Sequence, residues 1–103
     1  MIAALKQLLG FGPKANFKEL VANGASIIDV RTKNEYNSGN IKGSKNIPLN
    51  SLSGRISKIN KNKPVITCCA SGVRSGSAKT MLKNQGYEVY NGGGWLSLQN
   101  KLR

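Results

Sequence analysis

Two short apolar runs do most to fix what this chain can fold into. "ASIIDV" occupies residues 25–30 and "KPVITCC" residues 63–69. Both are too short for a helix and rich in β-branched residues, the pattern of a strand whose sheet is covered on both faces. Helical patterns surround them. "NFKELVANG", residues 16–24, has Asn16 as N-cap, Glu19 three places on and Gly24 as the stop, so Glu19 has a structural task. "SLSGRISKI", residues 51–59, carries Leu52, Ile56 and Ile59 at helical spacing. "VRSGSAKTMLKNQG", residues 73–86, puts Ala78, Met81 and Leu82 on one face and ends at Gly86. "WLSLQNKL" is a closing helix over 95–102, while "NIP" at 46–48 and "YEVYNGG" at 87–93 are further strands. The polar segment 31–45 predicts one helical turn and a loop. Strands that alternate with helices predict an α/β fold. Its mostly parallel sheet has four to five strands and helices on both faces, a three-layer sandwich.

Residues 1–12 read as an amphipathic helix or extension ahead of a domain over 13–103. Met1, Ile2, Leu5, Leu8 and Leu9 share one helical face, and Gly10, Gly12 and Pro13 break it. Docking of that face on the domain is preferred to membrane contact by residues 1–9 or to contact with a partner. Lys6 and Gln7 interrupt the apolar residues, which argues against a secretion signal, and no stretch approaches a membrane span.

Charge and residue inventory narrow the chemistry. The 16 Lys and Arg outnumber 4 Asp and Glu, for a net charge of +12, and they are scattered from Lys6 to Arg103. A scattered field suits anions in general: RNA, an acidic protein, a membrane surface or a small oxyanion. A basic surface with no dedicated partner explains it equally well. Six aromatic residues without basic-aromatic interleaving argue against a specific nucleic-acid function. The chain has no histidine, so Ser-His and Cys-His dyads are excluded within it, and no metal site or cofactor is expected. Its two cysteines, Cys68 and Cys69, are adjacent, where an ordinary disulfide is strained. Reduced cysteines suit the cytoplasm.

The cysteine pair ends a strand and a helix begins just after it. Ligands of parallel sheets bind at that end of the strands. In "CASGVR", residues 69–74, small side chains and Gly72 permit a turn that aims several backbone N–H groups at one point. Helix-terminal amides add partial positive charge there, and Arg74 adds a full charge if it turns inward. Such a cradle lowers a thiol pKa without a histidine, which places Cys69 as a nucleophile at the mouth of the loop. The plainer alternative is two inert core cysteines. Neighbouring strand residues face opposite ways, so Cys68 is assigned to core packing. Four residues separate Cys69 from Arg74. Cysteine phosphatases place five there, so this smaller cradle suits a single sulfur better than a phosphate.

With these motifs in order, the chain resembles the single-domain rhodaneses. "DVRTKNEYNSGNIKGSKNIP" is similar to the family's first motif, "CASGVRS" to its active loop and "NGGGWLSL" to its closing Gly-Gly-aromatic motif. Asn40, Ser44 and Leu98 depart from the usual His, Ala and Trp. The resemblance implies a rhodanese-like sandwich and a sulfurtransferase. Cys69 would take the outer sulfur of thiosulfate or another donor as a persulfide and pass it to cyanide or a cellular thiol. It implies a substrate-binding loop of Ala70, Ser71, Gly72, Val73 and Arg74. It also implies structural roles for Asp29, Arg31 and Glu35, with Arg31 and Glu35 expected to pair. A cysteine phosphatase or arsenate reductase is the rival enzyme, and a non-catalytic rhodanese-like binding module the rival of another class.

Overall fold

The computed structural model describes residues 15–103, so the helix expected at 1–12 lies outside the described residues. In chain order the elements are α1 (Phe17–Ala22), β1 (Ser26–Asp29), α2 (Lys33–Asn37), β2 (Lys45–Asn46) and α3 (Leu49–Leu52). A 3-10 turn (Ile56–Lys58) follows, then β3 (Val65–Cys69), α4 (Val73–Asn84), β4 (Val89–Gly94) and α5 (Trp95–Lys101). The strands form one sheet in the order β2-β1-β3-β4, and every pair is parallel. The two apolar runs therefore make the middle of the sheet, as covered strands should.

Alternation along these strands sorts the core into two layers. Ile27, Ile66 and Cys68 pack with Leu98 under α1 and α5, where Phe17, Leu20, Trp95 and Leu102 cover them. Ile28, Val65 and Cys69 face the other way, onto Leu52, Ala78 and Leu82 of α3 and α4. Helices thus lie on both faces, and truncating a fully buried Leu82 or Leu98 to alanine would cost about 2–5 kcal/mol.

The element ends follow local chemistry. Asn16 accepts a hydrogen bond from the Glu19 N–H at 3.0 Å and starts α1; past its end, Gly24 takes φ +100°. Thr32 and Glu35 form a reciprocal capping box at the start of α2. One expected helical segment is broken: residues 51–59 are not a single helix. After Leu52 the chain turns through Ser53, Gly54 and Arg55 before the 3-10 turn, since glycine and serine are weak in helix interiors. Ile59 still reaches the core. The strand expected at 46–48 starts one residue earlier and ends at Asn46.

The β3–β4 pairing positions the site. Thr67 pairs with Asn91 but Cys69 pairs with Gly94, so β4 spends one extra residue there, a bulge. Gly93 within it has φ +80°. A side chain at Gly92 would meet Leu98 Cδ2 at 2.8 Å and the Thr67 carbonyl at 2.9 Å, so glycine lets the bulged strand press against β3 and α5.

Candidate active site

Cys69 is the last residue of β3, and the turn Ala70–Gly72 returns the chain over its side chain into α4. Gly72 makes that turn at φ +103°, a left-handed conformation costly for any residue with a Cβ. Its N–H then points back and donates to Cys69 Sγ at 2.9 Å. The Ser75 N–H, free of an intrahelical partner in the first turn of α4, donates to the same sulfur at 3.4 Å. The Ser75 hydroxyl lies 3.3 Å from Sγ. Burial pushes the Cys69 thiol up, but the Ser75 hydroxyl and the N–H groups of Ser75, Gly72 and Ser71 outweigh it. The net pKa falls below the ordinary thiol value.

Cys68 shows the opposite balance one residue away. Burial on the other face, with Asp29 adding negative charge, pushes its thiol up to about 12. Both cysteines have no accessible surface. Cys69 packs on the core below and the turn lies over it, so at the mouth of the loop its sulfur sits beneath the loop backbone.

The expected residues divide. Ala70 and Ser71 are exposed on the turn, and Val73 points to solvent. Arg74 does not turn inward. It reaches across to α2 and meets Glu35 in two hydrogen bonds, Nη1 to Oε1 at 2.7 Å and Nη2 to Oε2 at 2.9 Å. This corrects the expected Arg31–Glu35 pair. Arg31 instead grips Asp29 within β1's end, with Nη2 to Oδ2 at 2.8 Å and both side chains buried. It also donates to the backbone carbonyls of Glu35 and Gly39, and its guanidinium stacks 4.7 Å from the Trp95 ring centre. The spacing error has a plain cause. Arg31 and Glu35 sit at helical distance in sequence, but Arg31 precedes the N-cap Thr32 and its side chain turns back toward the strand.

Two site residues were absent from the sequence reading. Ser75 is fully buried beside the thiol, and Asn91 on β4 bonds to it: the Ser75 hydroxyl donates to Asn91 Oδ1 at 2.7 Å. The Asn91 amide also accepts from the Gly93 N–H at 2.9 Å and donates to the Gly72 carbonyl at 3.1 Å. Ser75 follows Cys69 by six residues, a spacing that first-turn helix geometry makes meaningful. Asn91 gives no local signal, because its place is set by its pairing with Thr67 across the sheet.

A match to the Rhodanese-like domain family over residues 14–101 decides the relationship. The chain belongs to the rhodanese-like domain family. Uncharacterized protein YqhL of Bacillus subtilis is 47% identical over 68 residues, which is 65% of this chain and 54% of YqhL. Thiosulfate sulfurtransferase GlpE of Ectopseudomonas mendocina is 36% identical over 75 residues, 72% of this chain and 69% of GlpE. Among solved structures, reduced CoADR-RHD of Bacillus anthracis superposes with a TM-score of 0.75 at 36% identity. That match covers 98% of this rhodanese-like chain and 19% of the other. The chain thus spans about half of YqhL and a fifth of the CoADR-RHD chain.

Proposed function

We propose that this rhodanese-like chain is a sulfurtransferase that carries sulfane sulfur on Cys69. The observation that carries the reading is the sulfur's own environment: the N–H groups of Gly72 and Ser75 donate to Sγ at 2.9 and 3.4 Å, and the Ser75 hydroxyl lies 3.3 Å from it, placed to turn onto a thiolate. Such a ring stabilises negative charge on sulfur with no histidine in the chain. The relative GlpE, a thiosulfate sulfurtransferase, supports the same class.

In the first half-reaction the Cys69 thiolate attacks the outer sulfur of a small anionic donor such as thiosulfate. An Sγ–S bond forms, the donor's S–S bond breaks, and sulfite leaves with the electron pair. In the second, cyanide or a cellular thiolate attacks the outer persulfide sulfur, and Cys69 departs as thiolate. The turn must part for the donor to reach Sγ, because the sulfur has no exposed surface at rest. Ala70, Ser71, Gly72, Val73 and Arg74 form the wall that moves, and Asp29, Arg31 and Glu35 brace the ground beneath it.

Intact mass after thiosulfate treatment, without reductant, tests this. The expected result is a gain of one sulfur that disappears in Cys69→Ser and on addition of cyanide. No gain under conditions where Cys69 is alkylated would leave the non-catalytic binding module as the better reading.

A further inference from the structure

Asn91 is held in one orientation by two bonds of opposite sense. Its Oδ1 takes the Gly93 N–H, and its Nδ2 gives to the Gly72 carbonyl. Oδ1 therefore faces Ser75 as an acceptor only. Ser75 Oγ lies between Asn91 Oδ1 at 2.7 Å and Cys69 Sγ at 3.3 Å, fully buried. A hydroxyl has one proton. It can be given to Asn91 or to the sulfur, not to both.

We propose that Asn91 is a positioning residue that sets which way the Ser75 hydroxyl points as charge on Cys69 comes and goes. This rests on the reading of Cys69 as the sulfur-carrying nucleophile. When Cys69 is a thiol, its S–H donates to Ser75 Oγ and the Ser75 O–H donates to Asn91. When the thiol proton leaves to solvent, the hydroxyl turns, staying covalently intact, and donates to the thiolate. Asn91 Oδ1 is then still satisfied by Gly93. When Sγ takes sulfur and its charge passes to the outer atom, the hydroxyl returns to Asn91. The residue thus gives the Ser75 proton a resting place in every state in which Sγ is not an anion. A buried donor with no second acceptor would otherwise stay on the sulfur and weaken it as a nucleophile.

Other groups around the sulfur do not duplicate this. Arg74 at the start of α4 is engaged by Glu35 of α2. Asp29 at the end of β1 is paired with Arg31. Cys68 lies in the other core layer, where burial pushes its thiol up to about 12. On β4, Tyr90 donates to Glu88 at 2.6 Å and the remaining residues to Gly94 carry no charge.

The test is the pH half-point for alkylation of Cys69 by iodoacetamide in the full chain, compared across Asn91→Leu, Ser75→Ala and the double variant. Leucine fills the site and removes the rival acceptor, so the Ser75 proton stays on sulfur. The half-point is expected to fall by about half to one pH unit, the size of one neutral hydrogen bond. In the Ser75→Ala background, Asn91→Leu is expected to leave it unmoved. If Asn91 only ties the loop down, its loss frees the amides from Sγ and the half-point rises instead. A rise, no change, or a full shift that persists without Ser75 overturns the proposal. Should Asn91→Leu not fold, the Gly93 amide resonance of the unmutated chain decides. It is expected to titrate with the Cys69 half-point and to stop doing so in Ser75→Ala, and a Gly93 resonance indifferent to pH or to Ser75 overturns the proposal. Neither measurement needs a sulfur donor, so failure here is distinct from failure of the sulfurtransferase reading.

Discussion

The Glu35 carboxylate and the Arg74 guanidinium, 39 residues apart in sequence, meet in two hydrogen bonds of 2.7 and 2.9 Å. Glu35 Oε1, which takes Arg74 Nη1, also accepts from the Thr32 N–H at 3.1 Å in the capping box, so α2 holds the first turn of α4 and, through it, the turn over Cys69. The role expected of Arg74 from this contact is to hold the loop rather than to touch the sulfur. Arg74→Ala and Glu35→Gln are expected to lower the Cys69 alkylation rate by the same few-fold factor, and the double variant no further. Additive losses would mean that Arg74 touches the reacting groups itself.

That clamp also has an acid limit. The Arg74 hydrogen bonds, with help from the Thr32 backbone, hold the Glu35 carboxyl down to about 2. A carboxyl depressed in the fold stabilises it above its unfolded value near 4.5, and that contribution is lost as pH falls toward 2. The difference between wild type and Glu35→Gln is expected to vanish over that window, as read by urea unfolding at stepped pH.

The two thiols should separate cleanly. Cys69→Ser is expected to abolish sulfur transfer and leave the fold intact, because the turn is held by its backbone. Cys68→Ser is expected to retain most activity while losing stability, by about 1–3 kcal/mol for a hydroxyl in an apolar site. Thiocyanate formation and a urea melt measure both. An active Cys69→Ser protein would remove the nucleophile assigned here.

Cys68 adds a basic limit with the opposite sign. Its thiol is raised from 9.0 to about 12 in the fold, so its protonated form stabilises fully below pH 9 and that contribution is lost as pH rises toward 12. Urea midpoints at pH 7 and 10 are expected to differ more in wild type than in Cys68→Ala. Equal differences would show that Cys68 is not desolvated.

Gly39 carries a steric prediction. A Cβ there would fall 2.9 Å from Trp95 Cη2 and 3.3 Å from Cζ2, against the ring that stacks on Arg31. Gly39→Ala is expected to cost about 1–3 kcal/mol. In a Trp95→Phe background, where those atoms are absent, the cost should largely disappear. An equal penalty in both backgrounds would place the strain in the backbone instead.

Legibility in the sequence tracks how local each cause is. The central strands, the caps at Asn16 and Gly24 and the turn at Gly72 follow from neighbours a few residues apart, and the expected α/β sandwich with a parallel sheet is what the chain adopts. Cys69 beside that turn was legible for the same reason. The Arg31–Asp29 and Glu35–Arg74 pairs were not, because they depend on where side chains turn at the ends of strands and helices. Asn91 was hidden most deeply. It reaches Ser75 because β4 pairs with β3 in the register that sets Asn91 beside Thr67, a property of strand pairing that no window of sequence displays.

The sheet itself stands between the two thiols: Cys68 packs with Ile27 and Ile66 on one side, Cys69 with Ile28 and Val65 on the other. Under the proposed chemistry, a loaded Cys69 has no thiol of its own within reach to discharge it. Dwell time in the loaded form is then set from outside, by how often an acceptor arrives, and the protein can serve as a one-unit store whose release is dictated by demand.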